Sequence, residues 1–230
     1  MTSTWIDVQG TDGKYQAYLS LPPAGTGPGL VLFQEIFGVN GHIRAVADQY
    51  ALDGYVVLAP DVFWRLAPRV ELGYHGADLE RARALRSASD PGALGEDIKS
   101  SVAALRSRPE FTGNIGALGY CMGGRLAYQA AAQGGLEAAV SFYGGSIHNQ
   151  LDIAAKIRCP MMFHHGALDR LIPAPAVASI AAAFAGKDAQ FYLYESADHG
   201  FNCWARQSYH QPSAALAHGR TLEHFATHLV

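Results

Sequence analysis

Strand-sized apolar runs alternate along the sequence with helix-length segments, and this alternation constrains the fold most strongly. The apolar character of the runs is continuous, which indicates strands buried on both faces, as in a parallel sheet. The alternation of strands and helices along the chain predicts an α/β fold, with helices on both faces of a mostly parallel central sheet. The predicted strands are Gly29–Phe33, Tyr55–Ala59, Asn114–Leu118, Ala138–Tyr143, Pro160–His164 and Gln190–Tyr194. The predicted helices are His42–Asp53, Ala77–Ser87, Gly92–Ser107, Gly124–Gln133, Ala174–Ala185 and Ser213–His228.

The amino-terminal runs follow a different pattern. Trp5–Val8 and Tyr15–Leu21 alternate more between polar and apolar residues, which predicts an antiparallel hairpin at the edge of the sheet. The Pro- and Gly-rich stretch Pro22–Pro28 is interpreted as a hairpin loop rather than a domain boundary. The chain has 230 residues, of which 49% are hydrophobic, and no internal repeat. We therefore expect one domain over residues 1–230.

The amino-acid composition limits which classes of binding partner and which cellular compartment we expect for this protein. Charged residues make up only 16% of the chain, the formal net charge is −3, and no Lys or Arg block could neutralise a row of phosphates. No apolar run approaches the ~20 residues of a membrane span, and Met1–Gly10 has no apolar core of a secretory signal. Three cysteines without CxxC spacing favour free thiols over a disulfide framework or structural zinc. We expect a cytoplasmic protein, a monomer or small homo-oligomer, with neither nucleic acid nor membrane as a partner.

The strongest local signal is the stretch Gly119–Gly123, which reads GYCMG. It follows a predicted strand and precedes a predicted helix that starts with a further glycine, Gly124. This is the G-x-nucleophile-x-G turn, in which flanking glycines make room for a strained nucleophile. The turn places the sulfur of Cys121 at a helix N-terminus, where the dipole favours thiolate. The alternative is a structural cysteine in a tight strand-to-helix turn.

An acid and a base follow in the order that this kind of site requires. Asp169 lies in the loop after the strand Pro160–His164, and His199 lies in the loop after the strand Gln190–Tyr194. Catalytic groups of open α/β sheets collect at the carboxyl ends of strands. His199 is predicted to move the proton and Asp169 to fix its tautomer. The remaining histidines have no metal-binding spacing such as HExxH, so no metal is predicted.

The loop after the strand Gly29–Phe33 reads QEIFGVN. In an α/β-hydrolase this loop supplies one N–H of the oxyanion hole, and the residue after the nucleophile supplies the other. The candidate donors are Ile36 and Met122. Glu35 stands out because a carboxylate beside an Ile-Phe pair is costly to bury without a partner. A solvated loop residue is the alternative for Glu35.

At these residues the sequence resembles the dienelactone hydrolase (carboxymethylenebutenolidase) family of α/β-hydrolases. The matching segments are Gln34–Gly38, Ala59–Asp61, Gly119–Gly124, the Asp169 loop and His199–Phe201, and the likeness runs from about Trp5 to the last helix. The resemblance implies a Cys121–Asp169–His199 triad. It also implies that Glu35 keeps the resting thiol neutral and helps to remove its proton when substrate binds. Phe37 and Tyr143 are implied as pocket walls.

The family reaction is hydrolysis of an enol-lactone to maleylacetate, with neither metal nor organic cofactor. Members bind the substrate carboxylate with two arginines. This chain has Leu79 near the first position and Cys203 at the second. Arg83 and Trp204 are candidate substrate-binding residues here. Other nearby cations are Arg81, Arg86 and Arg206, although the helix that carries the first two and Arg83 is equally typical of a solvated face.

Three functions remain open at this point. The leading hypothesis is cysteine-dependent hydrolysis of a small ester or lactone through a thioester intermediate. The second is a general carboxylesterase or thioesterase on the same triad, which the missing arginines favour. The third is a non-catalytic ligand binder, or a thiol sensor that uses Cys121.

Overall fold

The computed structural model describes residues Met1–Val230 and contains eight strands and six α-helices. Contacts divide the chain into two units, Met1–Ile115 and Gly116–Val230. The first unit holds β1 (Thr2–Gln9), β2 (Lys14–Leu21), β3 (Gly27–Phe33), α1 (Gly41–Leu52), β4 (Val56–Pro60), α2 (Gly76–Ala88) and α3 (Pro91–Arg106). Strand β5 (Phe111–Tyr120) runs across the boundary. The second unit continues with α4 (Met122–Gln133), β6 (Ala138–Phe142), β7 (Met161–Gly166), α5 (Ala174–Ala183), β8 (Ala189–Tyr194) and α6 (Gln211–Leu229).

Strand pairing in the first unit confirms the amino-terminal hairpin and corrects one expectation. Strands β1 and β2 are antiparallel, in a register that joins Thr2 to Leu21 and Gln9 to Lys14. Strand β4 pairs antiparallel with β2 and parallel with β3, so it lies between them. The stretch Pro22–Pro28 is therefore not a hairpin loop. The physical reason is that β4 is buried at every residue and takes the position where both of its edges are hydrogen-bonded.

Two helices of the first unit begin at capping side chains. Asn40 accepts a hydrogen bond from the Ile43 N–H at the start of α1, at 3.2 Å. Asp90 accepts one from the Ala93 N–H at 2.7 Å, and Pro91 occupies the first turn of α3. Both caps satisfy N–H groups that a helix leaves unpaired at its start. Helix α2 buries only Ala82, so its arginines lie on a largely exposed helix.

The second unit is built on parallel strands. Strand β6 pairs parallel with β5 and β7, and β7 pairs parallel with β8. Strands β6 and β7 are buried throughout, as their continuous apolar character predicts. An aromatic group around Phe163, Phe184 and Phe191 packs β7 and β8 against the end of α5. This packing supports the two strand ends that lead to Asp169 and His199.

The predicted α/β fold with mostly parallel strands is confirmed, and every predicted strand and helix is present within a few residues of its expected bounds. Two 3₁₀ segments, Ile147–Asn149 and Leu151–Lys156, were not predicted. None of the helices has the length and apolar character that crossing a bilayer requires. The expectation of a single domain stays a prediction.

Candidate active site

Cys121 occupies a strained turn between β5 and α4. Its φ is 57° and its ψ is −114°, a conformation that non-glycine residues rarely adopt and that costs ~1–3 kcal/mol. A Cβ on Gly119 would overlap the carbonyl group of Gly123, so only glycine fits there. Cys121 is the N-cap residue of α4 and is partly exposed. The turn therefore presents the sulfur at the positive end of a helix dipole.

The end of β6 and the loop after it are hydrogen-bonded to this turn. The Cys121 N–H donates to the Phe142 carbonyl at 3.0 Å, and the Gly145 N–H donates to the Cys121 carbonyl at 3.3 Å. A Cβ on Gly124 would lie 2.7 Å from the Phe142 carbonyl oxygen and 2.9 Å from the Gly144 Cα. Backbone thus meets backbone on both sides of the cysteine, and this close approach holds the strained conformation.

Asp169 lies in the loop after β7, and both of its carboxylate oxygens accept hydrogen bonds. Oδ2 accepts a hydrogen bond from His199 Nδ1 at 2.8 Å. Oδ1 accepts from the Leu171 N–H at 2.8 Å and the Ile172 N–H at 3.3 Å. The residue is only 3% exposed. A buried carboxyl group with these partners can fix one tautomer of His199, with the proton on Nδ1.

The loop that carries His199 is tied directly to the Asp169 loop. The Leu168 N–H donates to the Ala197 carbonyl at 3.0 Å, and the Ala167 N–H donates to the Tyr194 carbonyl at 2.9 Å. A Cβ on Gly166 would overlap the Ala197 carbonyl, so glycine is required where the loops cross. These backbone contacts place Asp169 and His199 within one hydrogen bond of each other.

The pKa of His199 reflects the opposing effects of burial and of two neighbouring acidic side chains. Burial lowers its pKa, but the negative charge of Cys121 and the hydrogen bond to Asp169 outweigh burial and raise the pKa to about 10. His199 Nε2 is buried, and the Cys121 side chain lies close enough to His199 to raise its pKa. The arrangement can hold an imidazolium against a thiolate and can pass a proton between sulfur, substrate and water.

The Tyr143 ring also contacts His199. The two ring centroids are 5.1 Å apart and the planes meet at 62°. Phe201 packs on the same tyrosine ring, with centroids 5.3 Å apart. Tyr143 is fully buried and has a positive φ of 37°.

The sequence model of the dienelactone hydrolase family matches residues 15–229, which cover all three of these loops. This chain belongs to the dienelactone hydrolase family. Like its family, it is a hydrolase that acts on ester or lactone bonds.

Individual relatives cover nearly the whole chain. It is 35% identical to a carboxymethylenebutenolidase of Pseudomonas sp. strain P51 over 222 residues, which cover 95% of this chain and 92% of that one. It is 33% identical to the carboxymethylenebutenolidase of Pseudomonas putida over 229 residues, which cover 98% and 97% of the two chains. A crystal structure of a candidate dienelactone hydrolase from Klebsiella pneumoniae superposes with a TM-score of 0.88. It has 28% identity and covers 99% of both chains.

The loop after β3 is buried. Glu35 is 1% exposed, so it is not a solvated loop residue. Ile36 is 8% exposed, and Phe37 packs edge-on against Tyr74 with ring centroids 4.6 Å apart. A carboxylate buried next to two apolar residues is the kind of group that a functional site retains.

The cations near the site differ from the sequence expectation. Arg83 lies on α2, exposed, and forms an ion pair with Glu80 at 2.7 Å. Arg206 instead packs against the residue that follows His199, because a Cβ on Gly200 would lie 2.6 Å from Arg206 Cζ. Trp204, in the same loop, is 46% exposed. The structure thus brings Arg206 to the loop that carries His199.

Sequence reasoning missed the parts of the site that support it. The sequence did not predict the hydrogen bond from the Gly145 N–H to the turn Gly119–Gly123, which we call the elbow. Nor did it predict the contact between Phe201 and Tyr143. The Gly144-Gly145 pair directly after a buried strand was a usable signal, because such pairs mark close backbone approach. No group of three or more His, Cys, Asp or Glu side chains is arranged to hold a metal ion.

Proposed function

We propose that this member of the dienelactone hydrolase family opens a small ester or lactone with Cys121 as nucleophile, Asp169 as orienting acid and His199 as base. The substrate that we propose is a dienelactone-type enol-lactone, and the product is maleylacetate. The observation that carries the proposal is the 2.8 Å bond between Asp169 and His199 Nδ1, since it leaves Nε2 for the sulfur on the strained elbow.

The reaction begins with attack of the Cys121 thiolate on the carbonyl carbon. The tetrahedral intermediate collapses when His199 donates its proton to the leaving oxygen, giving a thioester acyl-enzyme. In a lactone the leaving oxygen stays attached to the acyl group, so opening the ring leaves one molecule bound to sulfur. Neutral His199 then takes a proton from water as the water oxygen attacks the thioester carbon. The C–S bond of the resulting tetrahedral intermediate breaks, which releases the acid and restores the Cys121 thiolate beside protonated His199.

The backbone N–H groups of Met122 and Ile36 are the proposed donors to the oxyanion. Met122 is the first residue of α4, where N–H groups have no partner within the helix. Each such donor contributes ~3–4 kcal/mol to the stabilisation of the transition state. Glu35 is the proposed group that keeps the resting thiol neutral and helps to remove its proton on substrate binding. The pKa of about 10 for His199 applies to the state with a Cys121 thiolate that this transfer produces. The near-complete burial of Glu35 supports a role other than solvation.

The proposed substrate carries a carboxylate, and Arg206 is the proposed cation that binds it. Its guanidinium packs beside Gly200, one residue past the base, and glycine at this position leaves room for it. Arg83 is the weaker candidate because it lies on a largely exposed helix. Phe37, Tyr143 and Trp204 are the proposed apolar walls.

Turnover of cis- and trans-dienelactone, with maleylacetate identified as product, tests the proposed function. A short-chain p-nitrophenyl ester, which lacks the carboxylate of dienelactone, is measured alongside and reports the activity of the triad alone. Cys121-dependent opening of dienelactone supports the proposal. Dienelactone hydrolysis that survives Cys121→Ala contradicts it.

Arg206→Gln tests the carboxylate site separately. We expect KM for dienelactone to rise at least ~10-fold, the loss of a charged hydrogen bond, with little change for the neutral ester. Arg83→Gln is the matched control and should change neither substrate. Equal effects of the two variants on both substrates would rule out Arg206 as the carboxylate-binding residue.

A general carboxylesterase or thioesterase on the same triad is the second candidate. The observation that favours it is Cys203, four residues past His199, which is buried and carries no charge to bind a substrate anion. This function predicts cleavage of neutral esters and no turnover of dienelactone in the same assay.

A further inference from the structure

Tyr143 occupies a backbone conformation that favours glycine. Its φ is 37°, and the next two residues, Gly144 and Gly145, are both glycines. The Tyr143 N–H is anchored to the His164 carbonyl at 2.7 Å, directly after β6. A large aromatic residue at such a position is strained, and strain of this kind persists where the side chain does something that glycine cannot do.

The Tyr143 ring touches both loops that carry the nucleophile and the base. It is fully buried and lies 5.1 Å from the His199 ring, 5.3 Å from Phe201 and 6.0 Å from Tyr120, measured between centroids. Tyr120 directly precedes Cys121, and Phe201 follows His199 by two residues. One side chain thus packs against the base and against the residues next to both catalytic groups.

The hydrogen bond from Nδ1 to Asp169 does not by itself fix the imidazole plane. It restrains one ring nitrogen at 2.8 Å but leaves the ring free to tilt about that contact. An edge-to-face aromatic neighbour restricts this tilt, because such pairs have a preferred geometry. Resting on the proposed function, we infer that Tyr143 is a positioning residue that holds the plane of His199 so that Nε2 faces the Cys121 sulfur.

Proton transfer between His199 and sulfur or substrate depends on this alignment, whereas ground-state binding does not. Misplacement by about 1 Å can cost ~10²-fold in rate. Tyr143→Leu should therefore lower kcat about 10- to 100-fold and leave KM within about threefold. Tyr143→Phe keeps the ring and should recover most of the loss.

The experiment measures kcat and KM for the p-nitrophenyl ester in Tyr143→Leu and Tyr143→Phe. Tyr128→Leu is the matched control, since Tyr128 is a fully buried tyrosine of the same unit that packs in a separate core cluster. NMR of the His199 Nδ1 proton, assigned by its loss in His199→Asn, reports the Asp169–His199 bond without substrate. We expect this resonance to move in Tyr143→Leu, and to stay near the wild-type position in Tyr143→Phe and Tyr128→Leu.

Two results would overturn the inference. A rise in KM with kcat and the Nδ1 resonance retained would make Tyr143 a pocket wall only. Equal losses of kcat in Tyr143→Leu and Tyr128→Leu, with an unchanged resonance, would reduce its role to core packing. If Tyr143→Leu does not fold, Phe201→Leu loosens the same ring, and an unmoved Nδ1 resonance there would equally contradict the inference.

Cys121→Ala separates this inference from the proposed function. Turnover that survives Cys121→Ala removes the proposed mechanism, whatever the Tyr143 variants do. Loss of turnover in Cys121→Ala together with a fully active Tyr143→Leu removes only the positioning role.

Discussion

Two histidines of the second unit show how neighbours decide the role of a buried residue. His165 is 1% exposed, neither ring nitrogen has a hydrogen-bond partner, and burial lowers its pKa to about 4. His199 is 8% exposed, but Cys121 and Asp169 raise its pKa to about 10 against the effect of burial. Burial alone keeps a histidine neutral, whereas burial beside negative charge holds a proton where chemistry can use it.

Asp169→Asn tests whether turnover depends on the carboxylate beside His199. We expect kcat to fall ~10⁴-fold, because an amide can donate to Nδ1 and so favours the wrong tautomer. The fold should persist, since the amide oxygen can still accept from the Leu171 N–H. Steady-state kinetics with the p-nitrophenyl ester, together with the thermal unfolding midpoint, measure both effects.

Asp198→Asn is the matched control for this prediction. Asp198 is an exposed carboxylate next to His199 that accepts a hydrogen bond from the His199 backbone N–H at 2.6 Å, and an asparagine oxygen can accept the same bond. Comparable losses in the two variants would mean that Asp169 has no special role.

At the scale of elements, the elbow depends on glycines that leave no room for a side chain. A Cβ on Gly119 would meet only backbone atoms, and one on Gly124 would meet two backbone atoms as well as the Ser141 Oγ, so the surroundings cannot yield. The opposite case lies on α6, where a Cβ on Gly219 would meet open space. The same substitution should therefore have opposite effects at the two places.

Gly119→Ala should lower the free energy of unfolding by more than ~2 kcal/mol and abolish turnover, because the strand-to-helix turn must shift. Gly219→Ala should be neutral or stabilise by up to ~1 kcal/mol, the difference in helix propensity. Urea unfolding followed by circular dichroism measures both. A fully stable and active Gly119→Ala variant would show that the turn does not need the observed backbone contact.

Local patterns predict the elements and the candidate site better than they predict the sheet order. Continuous apolar runs located the strands, and the GYCMG turn with two strand ends pointed to Cys121, Asp169 and His199. The position of β4 between β2 and β3 depends on pairing, which no local pattern encodes. The approach of Arg206 to Gly200 and of Tyr143 to His199 likewise depends on where loops fold back.

For the whole molecule, buried neutral histidines set the response to acid. His164 is fully buried and bonds Tyr194 at 2.9 Å and Thr221 at 3.1 Å. Burial lowers the pKa of His164, and it lowers those of His165 and His224 to about 4 each. In the unfolded chain these groups return to ~6.5. As pH falls from about 6.5 to 4, the unfolded state therefore binds protons that the folded state does not.

The free energy of unfolding should fall over this window, and each such histidine contributes up to ~1.4 kcal/mol per pH unit. His199 opposes this slope near pH 6.5, where its raised pKa keeps it protonated in the folded state more than in the unfolded state, and it adds no slope near pH 4 to 5, where both states are protonated. His165→Leu should flatten the slope, whereas His75→Gln, at an exposed position, should leave it unchanged. Urea unfolding from pH 7 to pH 4 makes the comparison. An unchanged slope in His165→Leu would show that His165 is not neutral in the folded state.

The proposed mechanism requires that Cys121 forms a thioester with the substrate. The most direct measurement is to quench the enzyme in acid during turnover of a p-nitrophenyl ester and to locate the acyl group by peptide mass spectrometry. Cys159 serves as an internal control, because burial raises the pKa of its thiol to about 11. We predict one acyl group on the peptide that contains Cys121, none on those with Cys159 or Cys203, and none in Cys121→Ala, whose turnover should fall at least ~10³-fold. Acylation of a different residue, or undiminished turnover by Cys121→Ala, would contradict the account.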